Sequence, residues 1–545
     1  MRVSGRTFWV IVAVLVALYV GQGLYYARVI VPVSDGIQFL MVGSHVVRGE
    51  LGLFDDRLVG NRMPLPFYVL GLTQLGGPTL VVPRLLNVAF GVATLLLVIG
   101  LARRLGGDRA GLLAGLFLAT QGVVIAYYSY ESYPALAALW LTAAVFLLFS
   151  GDSPGHRLGG TVVASLLFFV RTNLWPAVPF LAAYALWRAS GLRERLLLAA
   201  TVVVPPAIFF ASDPTHLKIL SYVPVVRRLV TRFGYDASVV FEVQEPLGVK
   251  EQIWGLAQIA RRYEFFVLGA VLLALIALWR WRARRPLQLA RPEIPVLAVF
   301  LVYMFVTNLV MFHLKFKWVG LYIVSFIPVL PVLLGVGYGA VLDDTRSGSR
   351  GRALLVGALA CLLIPPMYYV RNPLLPIGKV RAQDPFGATH AAAAELRRVV
   401  PRDAKVFYYG PNTAYYLAGL PQTYLQQMYN PDAAARPDAD EQMVRRYGFI
   451  PRADLERWLG TDADFAVIDT LFFDARNSEA SHERGAEPLI QELLARRFDL
   501  IASVDKPPFQ RYAVYKRRSK ADTATGTGTS SSARASDTTR TGQLR

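Results

Sequence analysis

The chain has 545 residues, of which 54% are hydrophobic and 17% are charged, and its mean hydropathy is +0.40. Soluble domains carry roughly 25% charged residues, so this composition excludes an ordinary soluble enzyme and a globally disordered chain. The net charge of +19 fits a nucleic-acid partner, an anionic membrane surface or the topology charges of a membrane protein. The single cysteine, Cys361, excludes a disulfide framework and a cysteine zinc site.

The apolar runs predict a membrane protein with many spans. A helix needs about 20 mainly apolar residues to cross a bilayer, and the first such run, Phe8–Tyr26, has no small-residue cleavage site after it. It therefore predicts an uncleaved anchor and not a signal peptide. Ten more runs bring the predicted number of spans to eleven: Val82–Leu101, Ala110–Tyr127, Tyr133–Phe149, Leu158–Val170, Trp175–Trp187, Leu196–Phe210, Phe265–Trp279, Ile294–Phe312, Trp318–Leu342 and Ala353–Val370.

Two details of these runs carry further predictions. The proline pairs Pro205–Pro206 and Pro365–Pro366 are expected to kink their helices without ending them. The apolar segment Pro66–Leu75 is too short to span and is expected to lie at the membrane interface.

Charge asymmetry predicts the orientation. With the N-terminus in the cytoplasm, the inner connections carry most of the loop arginines, among them Arg103, Arg104 and Arg109 and the cluster from Arg280 to Arg285. The short outer connection near Ser129 carries none. This asymmetry is the positive-inside pattern, and together with a basic C-terminal tail it accounts for most of the net charge. It predicts a multi-pass protein of the plasma (inner) membrane whose C-terminal region is extracytoplasmic.

The predicted fold class is mainly α: residues 1–370 form a membrane helix bundle with two outer loops, 27–81 and 211–264. Residues 371–518 are predicted to form a small extracytoplasmic α/β domain, and 519–545 a disordered, basic, Ser/Thr-rich tail. The α/β domain has no Walker loop and no glycine-rich dinucleotide fingerprint. Its predicted helices are Thr389–Val399, Thr413–Ala418, Arg452–Leu459 and Pro488–Arg497, and its predicted strands are Lys405–Tyr409, Phe465–Asp469, Leu500–Val504 and Tyr512–Tyr515.

Ionisable residues concentrate at the predicted outer ends of the spans, where functional groups of membrane proteins are found. They are Asp35, Asp55, Asp56, Arg57, Arg62, Arg84, Glu131, Arg171, His313, Lys315 and Lys317. Cations beside carboxylates at an apolar groove suit an amphiphilic phosphate ligand. Such side chains also snorkel to lipid headgroups, and Asp55 and Asp56 also fit a solvated turn. The tyrosines around Glu131 fit an interfacial aromatic belt, which is favoured, or a sugar-stacking platform.

The order of these features resembles the GT-C class of polyprenyl-phosphate-sugar-dependent glycosyltransferases. The resemblance rests on the anchor, the early Asp35, the Met63–Leu70 stretch MPLPFYVL, the Pro83–Asn87 stretch PRLLN and the later HLKFKW stretch. The nearest groups are the bacterial aminoarabinose and galacturonic acid transferases to lipid A, with the protein O-mannosyltransferases as relatives. These families often carry two adjacent acids in the first outer loop, whereas Gly36 follows Asp35 here.

The resemblance implies transfer of a sugar from a polyprenyl-phosphate donor to an acceptor hydroxyl of a lipid, glycan or protein on the outer face. It implies Asp35 and Glu131 as catalytic carboxylates, with Asp35 in the base role, directly or by positioning the acceptor or a metal. It implies ligands of the donor phosphate in Arg84, His313, Lys315 and Lys317. Asp55 and Asp56 are candidates for acceptor binding or for the secondary acid. No cofactor is indicated with certainty, and a divalent metal stays open.

Other functions fit the sequence less well. A transporter or flippase of lipid-linked glycans would carry internal repeats and charges in mid-span, and neither is evident. A membrane scaffold or receptor would not need the outer acidic and basic residues. A nucleic-acid partner is not expected, because the basic surplus is explained by topology and by the tail.

Overall fold

The computed structural model describes residues 5–32, 34–55, 58, 63–222, 224–232, 248–282, 291–311, 322–343, 349–363, 384–410, 413–421, 441–446, 450–471, 473, 486–506 and 510–519. The helices of the bundle and its loops are α1 Gly5–Val29, α2 Ser34–Val47, α3 Pro64–Leu72, α4 Val81–Ala119, α5 Gly122–Tyr127, α6 Pro134–Ser150, α7 Pro154–Leu166, α8 Ala177–Arg188, α9 Leu192–Ser212, α10 Pro224–Thr231, α11 Val249–Arg262, α12 Glu264–Arg282, α13 Glu293–Met311, α14 Val329–Asp343 and α15 Ser349–Leu363.

Within those ranges, five helices are long and apolar enough to cross a membrane, namely α1, α4, α9, α12 and α13. The described part of each of the eleven predicted runs is largely helical, but several of these helices are shorter, such as α6 and α14. The fold is the predicted polytopic helix bundle, and the count of eleven spans stays a prediction. Helix α9 continues through Pro205 and Pro206 as expected, whereas Pro365 and Pro366 lie outside the described residues.

The second and third predicted runs share one element, α4, which changes direction at Gly107. Its φ of +83° lies in the left-handed region that glycine adopts without a Cβ penalty. Beyond this kink, Ala110 and Ala114 pack against Gly335 and Gly339 of α14. Small residues spaced four apart on both helices let the two backbones approach closely.

The first outer loop contains a helix, α2, that the sequence did not predict. Helix α2 crosses α3 at Gly43 and Gly71, where a Cβ on Gly43 would lie 2.3 Å from the carbonyl oxygen of Phe67. The crossing therefore depends on glycine in both helices. Helix α3 begins two residues before the predicted interfacial segment Pro66–Leu75 and covers it as far as Leu72.

The C-terminal domain, which we call the outer domain after its predicted side of the membrane, is a four-stranded sheet with helices, close to the prediction. Its strands are β1 Val406–Tyr409, β2 Phe465–Asp469, β3 Phe498–Lys506 and β4 Gln510–Arg517, in the order β1-β2-β4-β3. Strands β1 and β2 are parallel, and β4 is antiparallel to both of its neighbours. Its helices are α16 Pro385–Val399, α17 Thr413–Leu417, α18 Glu441–Arg446, α19 Arg452–Arg457 and α20 Glu487–Arg497.

Alternation along the strands divides the outer domain's core in two. Val406 and Val467 point to the face packed under α16, and their cluster is continuous with the core of the membrane bundle. Phe407 and Ile468 point to the other face, which packs against α19 and α20 in a separate cluster. Successive strand residues face opposite sides of a sheet. One face of this sheet therefore joins the outer domain to the membrane bundle, and the other face forms the separate core of the outer domain. The predicted tail, from residue 520 onward, lies outside the described residues.

Candidate active site

A buried ion pair occupies the end of the bundle where α1 finishes and α4 begins. Arg84, in the first turn of α4, donates from Nε to Glu131 Oε2 at 2.6 Å. The exposed fraction of the two side chains is 1% and 0%. Removing both charges from water costs several kcal/mol per ion, so additional hydrogen bonds are needed to offset this cost.

Those bonds come from the end of α1. Arg84 Nη1 donates to the carbonyl oxygens of Ala27 at 2.5 Å and of Ile30 at 3.0 Å. The last carbonyl groups of a helix lack partners within the helix, and they carry partial negative charge that a cation stabilises. Arg84 therefore caps α1 while it neutralises Glu131.

Asn87, one helical turn after Arg84, holds the backbone of the same loop. Its Nδ2 donates to the carbonyl oxygens of Tyr130 at 2.5 Å and of Ser132 at 2.8 Å. Residues three apart lie on the same face of a helix, so the Arg84-x-x-Asn87 pair contacts three successive loop residues. We call residues 130–132 the Glu131 loop and these two side chains its clamp.

The Glu131 loop packs directly against the start of α2. A Cβ placed on Gly36 would lie 2.2 Å from the carbonyl oxygen of Glu131 and 2.9 Å from its Cγ. Only glycine allows this approach, so the departure from the two-acid pattern has a physical reason. Asp35 immediately precedes Gly36 in α2, but its side chain lies outside the described residues.

The outer domain covers this region from above. The guanidinium carbon of Arg84 lies 5.4 Å from the ring centre of Phe386 in α16. In α17, the Tyr416 hydroxyl lies 3.1 Å from Gln74 Oε1 and 3.5 Å from the carbonyl oxygen of Leu40 in α2. Residues of the outer domain thus form one wall of the site.

Arg171 lies on the opposite side of the Glu131 loop. Its guanidinium carbon is 4.0 Å from the ring centre of Tyr133 and 5.1 Å from that of Tyr322, whose hydroxyl accepts a bond from Nη2 at 3.2 Å. The side chain is 5% exposed, which makes cation–π contacts stronger than at a surface. In the neighbouring turn, Asn308 of α13 donates to the carbonyl oxygen of Asn173 at 3.1 Å.

The tyrosines beside Glu131 do not form the favoured aromatic belt. Tyr127, Tyr128, Tyr130 and Tyr133 are all buried, and a belt faces the headgroups. The Tyr128 hydroxyl donates to the carbonyl oxygen of Val324 at 2.6 Å. These rings pack the interior of the site instead.

Asp55 lies in the turn that follows α2, where its backbone carbonyl accepts a hydrogen bond from Leu58 N at 2.8 Å. Burial, with a smaller contribution from Asp55, raises the pKa of Tyr68 to about 12, and the Tyr68 hydroxyl donates to the carbonyl of Leu53. The ring of His216 places Nε2 3.0 Å from the carbonyl oxygen of Phe54 and so ties the two outer loops together.

Four predicted site residues are not part of this description. Asp56, His313, Lys315 and Lys317 lie outside the described residues. Glu131 and Arg84 come together, and Gly36, the residue after Asp35, contacts the Glu131 loop. Asn87 and Phe386 were not predicted as site residues, although Asn87 closes the PRLLN stretch at helical spacing from Arg84.

Carboxylates that could hold a divalent cation are not grouped in the part of the chain described here. In that part, no three His, Cys, Asp or Glu side chains come together, and Glu131 Oε2 already accepts the bond from Arg84. The described side chains therefore do not fit a metal, and the mechanism proposed below has no step at one.

A polytopic helix bundle that carries a small α/β domain is also the fold of solved structures to which this chain is similar. The chain is similar to ArnT from Cupriavidus metallidurans in the apo state, with 17% identity, a TM-score of 0.54 and coverage of 94% of this chain and 98% of that one. For the same protein bound to undecaprenyl phosphate, the identity is 15% and the TM-score 0.56, at the same coverage. The apo oligosaccharyltransferase of Archaeoglobus fulgidus aligns over 90% of this chain and 73% of its own, at 11% identity and TM-score 0.51.

Sequence comparison adds no relative: no protein-family model and no curated protein matches the chain. At identities this low, the structural likeness establishes the fold. The predicted fold class, a mainly α polytopic membrane bundle with a small α/β domain, is confirmed.

Proposed function

We propose that the protein is a membrane glycosyltransferase that moves a sugar from a polyprenyl-phosphate donor to an acceptor hydroxyl. The observation that carries this proposal is the likeness, over nearly the whole of both chains, to a protein crystallised with undecaprenyl phosphate. The buried charged site at one end of the bundle supports it, since buried ionisable groups in membrane proteins mark functional sites.

The transfer breaks one bond and forms one. The acceptor oxygen attacks the sugar C1, the bond from C1 to the phosphate oxygen breaks, and the polyprenyl phosphate leaves with the electron pair. The acceptor hydroxyl gives up its proton to a carboxylate, for which we propose Asp35. Glu131 is the second acid in this proposal, and its ion pair with Arg84 connects it to the phosphate side of the site.

Cations stabilise the leaving phosphate. We propose Arg84, His313, Lys315 and Lys317 for this role, and Asp55 and Asp56 for acceptor binding or as a secondary acid. For Arg84 the support is geometric: its Nη2 is buried and makes no hydrogen bond within the described structure. A bound phosphate would satisfy that donor.

The setting proposed for the reaction is the outer face of the plasma membrane, with the N-terminus in the cytoplasm and residues 371–518 outside. The donor is a polyprenyl-phosphate-linked hexose or pentose, and the acceptor is a lipid, a glycan or a protein of the envelope. A donor carried on a lipid phosphate needs no nucleotide, which agrees with the missing nucleotide-binding loops.

The test uses the full chain in lipid nanodiscs. Undecaprenyl-phosphate sugars, each radiolabelled in the sugar, are offered with envelope lipids, glycans and proteins as acceptors, and labelled product is measured. We expect transfer by the wild type, and a loss of about 10²-fold or more in Asp35→Asn, because general-base catalysis contributes that much.

Asp108→Asn is the matched control, since Asp108 is a carboxylate at the other end of the bundle. Full activity of Asp35→Asn would overturn the role of Asp35. Movement of the labelled lipid across a vesicle membrane, with no transfer by the wild type to any acceptor, would overturn the transferase and favour the flippase.

A further inference from the structure

We propose that Asn87 is a positioning residue and that Arg84, besides the phosphate contact proposed above, acts with it: together they hold the Glu131 loop against Gly36 and thereby fix the start of α2 and the place of Asp35. The inference rests on the proposed function for its meaning in catalysis. Its structural part concerns only the chain from α2 to α4 and the loop before α6.

The Glu131 loop is short, yet three hydrogen bonds hold it to α4. Arg84 and Asn87 project from one face of α4 and make three hydrogen bonds to residues 130–132. Both side chains are almost completely buried, at 1% and 0% exposure. A segment held at three successive residues by a helix has little freedom to move relative to that helix.

The Glu131 loop also lies directly against the start of α2. The carbonyl of Glu131 faces Gly36 so closely that no side chain fits between them. The loop therefore sets how closely the start of α2 can approach it. One turn further along the same face of α2, Phe39 lies 5.9 Å from Tyr133, the residue that follows the loop, measured between ring centres.

Arg84 also holds the end of α1. Arg84 bonds the carbonyl groups of Ala27 and Ile30, a few residues before α2 begins at Ser34. The clamp therefore fixes the chain on both sides of residues 31–33. Asp35 follows this fixed entry by two residues and precedes the Gly36 contact by one.

A carboxylate that accepts a proton in a transition state must be placed to within a fraction of an ångström. A displacement of 1 Å can lower a rate about 10²-fold. In this chain, glycine follows Asp35, and the carboxylate-bearing Glu131 loop packs against that glycine. The clamp is what keeps that loop in contact.

The test compares Asn87→Asp, Gly36→Ala and their double variant, each in the full chain. Asn87→Asp keeps the shape but replaces the amide donor with an acceptor that faces two carbonyl oxygens. Gly36→Ala pushes on the same loop from the opposite side. Thr94→Val is the control, because Thr94 is buried in the same helix and its hydroxyl bonds only the carbonyl of Phe90, at 2.9 Å.

We expect each single variant to lower kcat for transfer about 10²-fold with the KM for the lipid donor unchanged, and the double variant to be little worse than either. Such non-additivity is expected of residues that act through one contact. Thr94→Val should keep the wild-type kcat. Equal loss of kcat and of folded yield in all three variants would instead indicate a general packing role and overturn the proposal.

A second readout does not depend on transfer. In a Cys361→Ser background, which removes the only native cysteine, Asp35→Cys reports the position of the α2 start through its rate of reaction with a charged methanethiosulfonate. We expect Asn87→Asp and Gly36→Ala to change that rate several-fold and Thr94→Val to leave it unchanged. Unchanged rates in the first two variants would refute the positioning role, whether or not the wild type transfers sugar.

Discussion

The two ends of the helix bundle manage charge in different ways. At the end predicted to be cytoplasmic, acids pair with arginines of the same or a neighbouring connection. Arg103 bonds Asp108 at 2.7 Å, and Arg157 bonds Glu194 at 2.7 Å. Arg109–Asp343 and Arg188–Asp152 link different connections in the same manner.

Most of these pairs are partly exposed; in the Arg103–Asp108 pair the exposed fractions are 41% and 32%. Exposed pairs contribute about 0–1 kcal/mol each. The pairs bring the connection at 103–109 beside Asp343, and the connection at 152–157 beside that at 188–194, in agreement with the topology prediction. Which side of the membrane that end faces stays a prediction.

The opposite end has the Arg84–Glu131 pair, which is fully buried and reinforced by bonds to backbone carbonyl groups. A buried pair can be replaced by apolar residues at no loss of stability, yet breaking one partner is strongly destabilising. A buried pair of this kind is therefore better explained by a role other than stability, and it supports the proposal that the active site lies at this end of the bundle.

The largest effect is expected from breaking the buried pair. Glu131→Ala leaves the Arg84 cation buried without a counter-charge and should cost about 3–5 kcal/mol. The measurement is the free energy of unfolding in mixed micelles with increasing denaturing detergent. Arg84→Met combined with Glu131→Leu should recover most of the loss; a double variant as unstable as Glu131→Ala would contradict this account.

A smaller effect is expected at Arg171. Arg171→Lys keeps the charge but loses the planar stacking between Tyr133 and Tyr322, so we expect a loss of about 1–2 kcal/mol. The same unfolding measurement applies, with Arg104→Lys at the exposed end as the control. A loss equal to that of the control would show that stacking at Arg171 contributes nothing measurable.

The contact of the outer domain with α2 and α3 should contribute less again. Tyr416→Phe removes the hydroxyl near Gln74 Oε1 and should cost about 1 kcal/mol. Limited proteolysis in the outer domain should become faster, because the domain undocks more often. Tyr415→Phe is the comparison, since the Tyr415 hydroxyl bonds Pro421 within the outer domain itself; faster cleavage in Tyr415→Phe alone would reverse the assignment.

The smallest effect is expected at the exposed end. Asp108→Asn breaks the pair with Arg103 and should change the free energy of unfolding by less than about 1 kcal/mol. Transfer activity should stay at the wild-type level. A loss there comparable to that of Glu131→Ala would abolish the distinction between the two ends.

Periodicity and apolar length predicted most of the fold. The strands of the outer domain were placed within two or three residues, because alternation and flanking Gly or Pro mark short buried strands well. Helix α2 was missed because Ser34–Val47, at 14 residues, is shorter than a span. The kink at Gly107 was hidden because a positive φ leaves no trace beyond the glycine itself.

The site was predicted only in part, for a different reason. Asp35, Arg84 and Glu131 attract attention because charges are rare near spans. Asn87 and Gly36 are neutral, and their roles come from contacts across more than 40 residues of chain and from a missing side chain. In the sequence, most of the membrane bundle lies between Arg84 and Phe386, so no local sequence pattern could connect the two residues.

Because Phe386 forms part of the wall of the site, the site can be completed only late in synthesis of the chain. A chain made from its N-terminus folds its earlier units first, so α1, α4 and the Glu131 loop are in place long before residue 386 has been synthesised. In the predicted topology, the covering helix crosses the membrane with the rest of the outer domain before it reaches Arg84. Completion of the site would then be coupled to export of the last domain, and a chain arrested between the two stages would hold the clamp without its cover.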